Sequence, residues 1–238
     1  MSVNISLEEL LDAGAHFGHQ ARRWNPKMAP YLYGVQDGVH IFDLTKTKEE
    51  LERALEFLAQ AKTEGKVVLF VGCKKQGREK TKEIAEAIGA PFITERWLGG
   101  IITNFDAIKK SIDKLADMKE KMAAGEYRGK YTKKEILLLE REIARLERFF
   151  GGLASLTKIP DILFVLDTKK ESGAVYEGRK KGVTIVGIVD SNADPEVVDY
   201  PIPMNDDASK AINYVLDLVK QAMLQAPKPK VKKEKAEK

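Results

Sequence analysis

Cysteine is almost missing from this 238-residue chain, with Cys73 alone. That excludes an internal disulfide and any zinc knuckle built on cysteines, and it fits a reducing compartment. Histidine is nearly as scarce: His16, His19 and His40 are the three, all within the first forty positions. No apolar run approaches the roughly 20 residues that a membrane-spanning helix needs. A basic start followed by a short apolar stretch, the mark of a secretory leader, is also lacking. A soluble cytoplasmic protein with no membrane partner is therefore expected. Nor is there a G-x-G-x-x-G. Gly72 and Gly77 have the spacing of a phosphate loop, but Arg78-Glu79 stands where its Lys-Ser/Thr pair belongs, which argues against nucleotide hydrolysis.

A broad basic surplus is missing as well. The formal charge of +4 comes from the last eleven residues, KPKVKKEKAEK, with six lysines against two glutamates. The rest carries as many acids as bases. Nucleic-acid binding by the folded part must then come from local clusters rather than a uniformly basic body.

What is present reads as an α/β fold. Apolar runs without alternation at 66–71, 162–167 and 183–190, with short ones at 91–94 and 200–204, are interleaved with amphipathic segments at 80–88, 172–181 and 208–226. Such runs mark a mainly parallel sheet covered on both faces, the doubly wound (Rossmann- or flavodoxin-like) class. Ser6-Leu7-Glu8-Glu9 and Thr47-Lys48-Glu49-Glu50 read as capping boxes opening two earlier helices, and Thr132-Lys133-Lys134-Glu135 as one opening a later helix. Asp37-Gly38 reads as the turn of a β-hairpin, and Asp206 or Asp207 as the cap of the last helix.

Residues 105–150 break this rhythm. Ile136, Leu139, Ile143, Leu146 and Phe150 step by 3, 4, 3 and 4, a coiled-coil seam, and Ile108, Ile112, Leu115 and Met122 precede it across a Gly125–Gly129 reversal. The expected organisation is a discontinuous α/β domain (1–104 and 151–226), an inserted antiparallel coiled-coil hairpin (105–150) and a disordered Lys-rich tail (227–238).

Chemistry gathers first in GAHFGHQARRWNPKM, residues 14–28. Guanidinium forks match phosphate oxygens and indoles stack on bases, so Arg22, Arg23, Trp24, Asn25 and Lys27 suit RNA contact. A surface loop pinned by Trp24 explains them equally well at this level. A second island holds Arg96, Trp97 and Asn104; here Trp97 reads as a core anchor, while Arg96 and Asn104 are the contact candidates. Lys74, Lys75 and Arg78 follow a strand, and Arg128 and Lys130 sit at the hairpin reversal. His16 and His19, three apart, are candidates for a divalent metal (zinc or magnesium) with Asp190 and Asp206, although hydrogen-bonded structural histidines are the simpler reading. Asp167 and Asp190 end consecutive strands, where open α/β sheets bind ligands. This leaves a phosphosugar- or nucleotide-handling enzyme as the alternative.

Seven segments taken together, AGAHFGHQARRWNPKM (13–28), HIFDLTKT (40–47), LFVGCKK (69–75), RWLGGIITNF (96–105), PDILFVLD (160–167), DSNADP (190–195) and DYPIPMNDD (199–207), resemble the bacterial-type small-subunit ribosomal protein S2 family. The resemblance covers essentially residues 4–225. It departs at Ser191, Met204, Gly178 and Thr184, where the family favours Thr, Gly, Ala and Pro. It implies a non-enzymatic constituent of the small ribosomal subunit, with no required cofactor and no homo-oligomer. Implied partners are 16S-type rRNA at the back of the subunit and neighbouring ribosomal proteins, including the large OB-repeat protein that recruits mRNA. On this basis Arg22, Arg23, Lys27, Lys74, Lys75, Arg78 and Arg96 are expected to pair with rRNA phosphates, with Arg128 and Lys130 adding reach.

Overall fold

The structure, a computed structural model, describes residues 4–227; the tail expected over 227–238 lies outside them apart from Pro227. The chain opens with α1 (Leu7–Asp12), whose Ser6 side chain accepts from the Glu9 amide. A small antiparallel sheet follows, of β1 (Phe17–Gln20), β2 (Leu32–Gln36) and β3 (Val39–Phe42) in the order β1-β3-β2. Asp37 and Gly38 both take positive φ, 50° and 77°, as a two-residue turn between twisted strands requires.

Helix α2 (Leu44–Thr63) starts earlier than the sequence pattern suggests. Asp43 is its cap, accepting from the Thr45 amide at 3.0 Å. Thr47 is buried and spends its hydroxyl on the Pro203 carbonyl at 2.6 Å, so it joins two elements instead of capping one.

The main body is β4 (Val68–Val71), α3 (Arg78–Ile88), β5 (Phe92–Ile93), α4 (Phe105–Ala123), α5 (Lys133–Phe150), β6 (Ile162–Val165), α6 (Ser172–Lys180), β7 (Thr184–Val189), β8 (Tyr200–Pro203) and α7 (Ser209–Gln225). Its five strands are all parallel, in the order β5-β4-β6-β7-β8. Every residue of β4 and β6 is buried, which is why these strands read as continuous apolar runs. Alternate side chains go to opposite faces. Val68, Phe70, Ile162 and Phe164 join α2, α3 and α7 on one side. Leu69, Val71, Leu163 and Val165 join α4, α5 and α6 on the other. This is the doubly wound arrangement, in its flavodoxin-like strand order.

Helices α4 and α5 pack on each other and are tied across by Lys114–Glu142 (2.5 Å) and Lys119–Glu147 (2.7 Å). Thr132 and Glu135 form the expected capping box of α5. Burial is concentrated where the pair meets the body: Ile112, Leu115, Met118, Leu146 and Phe150 share one core with the central strands. Leu137 and Leu138, near the start of α5, are exposed.

Helix α7 has Ala208 at its N-cap position and no side-chain cap. Asp206 and Asp207 are drawn elsewhere.

Candidate functional site

In the doubly wound fold the sheet changes winding direction between β4 and β6, and a crevice opens at the carboxyl ends of those strands. Four connections that leave the carboxyl ends of strands meet there, three leading to helices and one from β7 to β8. Lys74 follows β4, Asp167 follows β6, Asp190 follows β7, and Asp206 and Asp207 follow β8. The Lys74 ammonium lies 2.6 Å from Asp206, 2.7 Å from Asp207 and 3.1 Å from Asp167. Burial works to lower the Lys74 pKa, but the bonds to Asp206 and Asp207 outweigh it and the net direction is upward. The expectation that Lys74 faces an RNA backbone is corrected: it is buried, and three carboxylates already hold its charge.

Asp190 is fully buried beneath this cluster. It accepts from the Ser191 amide (2.5 Å), the Ser191 hydroxyl (3.0 Å) and the Asp206 amide (3.1 Å), and His19 Nδ1 sits 2.9 Å away. The Asp190 bond raises the His19 pKa against the opposing effect of burial. Burial, followed by the charges of Asp190 and Asp167, pushes the Asp206 carboxyl up. These acids therefore fasten strand ends together, in contrast to the paired acids of an enzyme. Cys73 offers no nucleophile either, because burial pushes its thiol up to about 12.

His16 leaves the proposed metal group. Residues 17–20 form a strand and not a helix, so a three-residue step does not bring His16 and His19 to one face. The His16 ring packs on Phe17 at 4.0 Å. Among the described residues, the group with metal-holding geometry is His19, Asp206 and Asp207, with one ligand atom from each within 4.8 Å of the others.

The phosphate-loop spacing of Gly72 and Gly77 has a packing origin. A Cβ on Gly72 would lie 2.4 Å from Thr81 Oγ1, and one on Gly77 would lie 2.3 Å from Leu166. Both glycines let α3 close on the sheet.

Around the crevice the remaining candidates are displayed outward. Arg22 and Arg23 lie in a short 3-10 turn (Ala21–Arg23) and are exposed. Trp24 stacks on His40 at 4.8 Å while staying 37% exposed, so part of the indole anchors the segment and the rest faces solvent. Asn25 ties this segment to the crevice: its amide donates to the Ser191 carbonyl at 2.7 Å. Lys27 is exposed but paired with Asp194 (2.9 Å) and Glu196 (2.6 Å). Lys75, Arg96 and Asn104 are exposed; Arg78 is half-buried, 3.3 Å from Glu95. Arg128 and Lys130 are exposed in the α4–α5 connection.

One residue that sequence reasoning missed organises the second island. The buried Glu177 carboxylate accepts from Trp97 Nε1 (3.1 Å) and from the amides of Gly100 (2.7 Å), Ile102 (3.1 Å) and Thr103 (3.0 Å), as well as the Thr103 hydroxyl (2.9 Å). Burial alone would raise its pKa, yet these donors hold it below the usual carboxylate range. The loop carrying Arg96 and Asn104 is thus fixed by one buried charge on α6. The sequence signal was available: Glu177 stands three residues after Ala174 and next to Gly178, on the face of α6 that must be buried.

Fold and site together define a flavodoxin-like doubly wound α/β protein whose switch-point crevice is filled by its own lysine. Exposed cations and aromatics stand on the loops around it. The model of the family described as ribosomal protein S2 matches residues 10–226. The small ribosomal subunit protein uS2 of Coprothermobacter proteolyticus is 45% identical over 221 residues, covering 93% of this chain and 82% of the relative. Those of Geotalea uraniireducens (45%, 93% and 86%) and Rhodospirillum centenum (47%, 92% and 84%) are similar to the same extent. The chain belongs to the ribosomal protein S2 family, a family of structural ribosomal proteins. Membership gives no support to the alternative of an enzyme using Asp167 and Asp190.

Proposed function

We propose that this chain is built into the small ribosomal subunit, in the cytoplasm, as a single copy that holds 16S-type rRNA by its outward-facing cations. The observation that carries this is the exposed Arg22-Arg23-Trp24 run, braced on one side by the His40 stack and on the other by the Asn25–Ser191 bond. A braced display of guanidinium and indole costs little ordering entropy when it meets phosphate and base. Lys75, Arg78, Arg96 and Asn104 extend the surface, and Arg128 and Lys130 reach RNA or a neighbouring protein from the far end of the helical pair. In this reading residues 105–150 serve as an arm on the 1–104 and 151–226 body. Neighbours include the OB-repeat protein that recruits mRNA, and RNA shape is read in preference to base sequence.

Replacing Arg22, Arg23 and Lys27 together by Ala tests the reading through rRNA binding across a salt series. The variant should bind more weakly, and its log K against log salt slope should fall by about 2, at ~0.7–0.9 per phosphate contact. Most of that fall belongs to the arginines, since Lys27 is already paired. Unchanged binding and slope would remove these residues from the interface.

No cofactor is required for this role. A divalent cation, zinc or magnesium, is a separate proposal for His19, Asp206 and Asp207 with Asp190 behind His19, supported by the closeness of their ligand atoms. Lys74 competes for it by taking one oxygen of each aspartate. Elemental analysis of the purified protein beside His19→Ala decides: metal in the first and not the second supports the site.

A further inference from the structure

Next to the Arg22–Lys27 segment lies an open pocket of about 760 Å³ that none of the roles above uses. One wall is a single face of α6, carrying Ser172, Val175, Tyr176, Arg179 and Lys180 at helical spacing. The opposite wall is the segment after β7, with Asn192, Ala193, Asp194 and Val197. Thr168 and Lys169 line it from the end of β6, and Asn25 lines it from the arginine-rich segment.

Three features of this pocket call for a ligand of one kind. Tyr176 is 66% exposed in mid-helix, with the Lys180 ammonium over its ring at 6.0 Å from the centroid, so an exposed aromatic ring and a cation stand together at the pocket. Buried Val175 and Ala193 make the pocket apolar, while Lys169, Arg179 and Lys180 make it positive. The one acid, Asp194, is neutralised by Lys27 at 2.9 Å.

We propose that this pocket takes one unstacked nucleotide of the bound RNA, its base against Tyr176 and its phosphate among Lys169, Arg179 and Lys180. The proposal rests on the rRNA-binding reading and deepens it. Aromatic side chains stack on any extruded base, and adjacent cations take the phosphate. The volume lies within the ~300–1,000 Å³ range of small-ligand sites and is far too small for a duplex. Asn25 makes the pocket continuous with Arg22 and Arg23, so an RNA backbone crossing those arginines passes its mouth. The Arg179 guanidinium is pre-set by its 2.7 Å bond to the Glu196 carbonyl.

Two measurements on the full chain test this. In the first, the free protein is titrated with uridine and adenosine 5′-monophosphates and, separately, with inorganic phosphate, following the amide signals of Tyr176 and Ala193. Millimolar binding of the nucleotides, at least tenfold weaker binding of phosphate, and at least tenfold loss in Tyr176→Ala are expected. Equal binding of phosphate, or no effect of Tyr176→Ala, overturns the stacking role. In the second, small subunits assembled with wild-type or Tyr176→Ala protein are probed with dimethyl sulfate and a water-soluble carbodiimide, which together reach all four bases. One rRNA base should gain reactivity in the variant particles while the protein still co-sediments. Co-sedimentation without any such change overturns the RNA occupant, and nucleotide binding in the first measurement would then mark a site for free nucleotide. Failure of the wild-type protein to co-sediment removes the rRNA-binding reading itself, and with it the RNA occupant.

Discussion

Glu177→Gln changes one atom of the side chain, yet it strikes at five hydrogen bonds. In the wild type, Oε1 accepts from Trp97 Nε1 and the Gly100 amide, and Oε2 accepts from the Ile102 and Thr103 amides and the Thr103 hydroxyl. All five partners are used as donors. A glutamine amide must turn its NH₂ toward one of the two sets, so at least two donors face a donor. The milder placement strands Trp97 Nε1 and the Gly100 amide. At ~1–3 kcal/mol for each buried group left unpaired, the cost is about 4 kcal/mol. For a chain of this size, at roughly 2–4 °C per kcal/mol, the melting temperature should fall by about 8–16 °C. Thermal unfolding of the isolated protein, followed by circular dichroism and by tryptophan emission, measures this directly. Glu196→Gln, an exposed neighbour, serves as the control. The pH dependence adds a second signature. Because the folded-state pKa of Glu177 is lowered, its contribution is fully present above its ordinary value of 4.5 and is lost as pH falls through the folded value. Wild type should therefore lose stability on acidification below pH 4.5 more steeply than Glu177→Gln. A melting temperature within 2 °C of wild type, or parallel acid profiles, would refute the view that one carboxylate holds this loop.

Two further substitutions probe the packing described above. Lys74→Met leaves Asp167, Asp206 and Asp207 facing one another without their cation, and should cost about 3–5 kcal/mol by urea unfolding; a neutral result would show that these acids are not held by Lys74. Gly152→Ala would place a Cβ 2.3 Å from the Phe92 carbonyl oxygen, a backbone atom that cannot swing aside. A loss of about 1–3 kcal/mol is expected in the same assay, and full stability would mean that the α5–β5 junction is looser than drawn.

Local signals in the sequence were reliable where one short segment decides the outcome. Asp37-Gly38 needs positive φ whatever surrounds it, and the Thr132–Glu135 box satisfies its own helix end. The parallel sheet was legible for a related reason: strands buried on both faces cannot alternate. Signals failed where distant segments compete for the same group. Thr47 looks like a cap until the Pro203 carbonyl claims its hydroxyl from 156 positions away. Lys74 looks like a solvent-facing cation in a basic run until Asp206 arrives from 132 positions away. For the same reason Asp206 does not cap α7. Glu177 stayed hidden because a glutamate in a Lys- and Arg-rich helix reads as surface charge, and its donors sit 74–80 positions earlier. The exposed arginine islands were legible as residues, while their bracing was not.

The strand order also has a consequence in time. β4 is an interior strand of the sheet, yet one of its two neighbours, β6, begins 94 residues later, after the whole helical pair has been made. At roughly 5–20 residues per second of synthesis, the edge of β4 waits on the order of 5–20 s for its partner. Through that interval Val68–Val71 offers four apolar residues and an unpaired backbone edge, covered on one side only by the two-residue β5. A nascent chain stalled near residue 150 would therefore be a sticky object, with an apolar strand edge waiting for a partner not yet made.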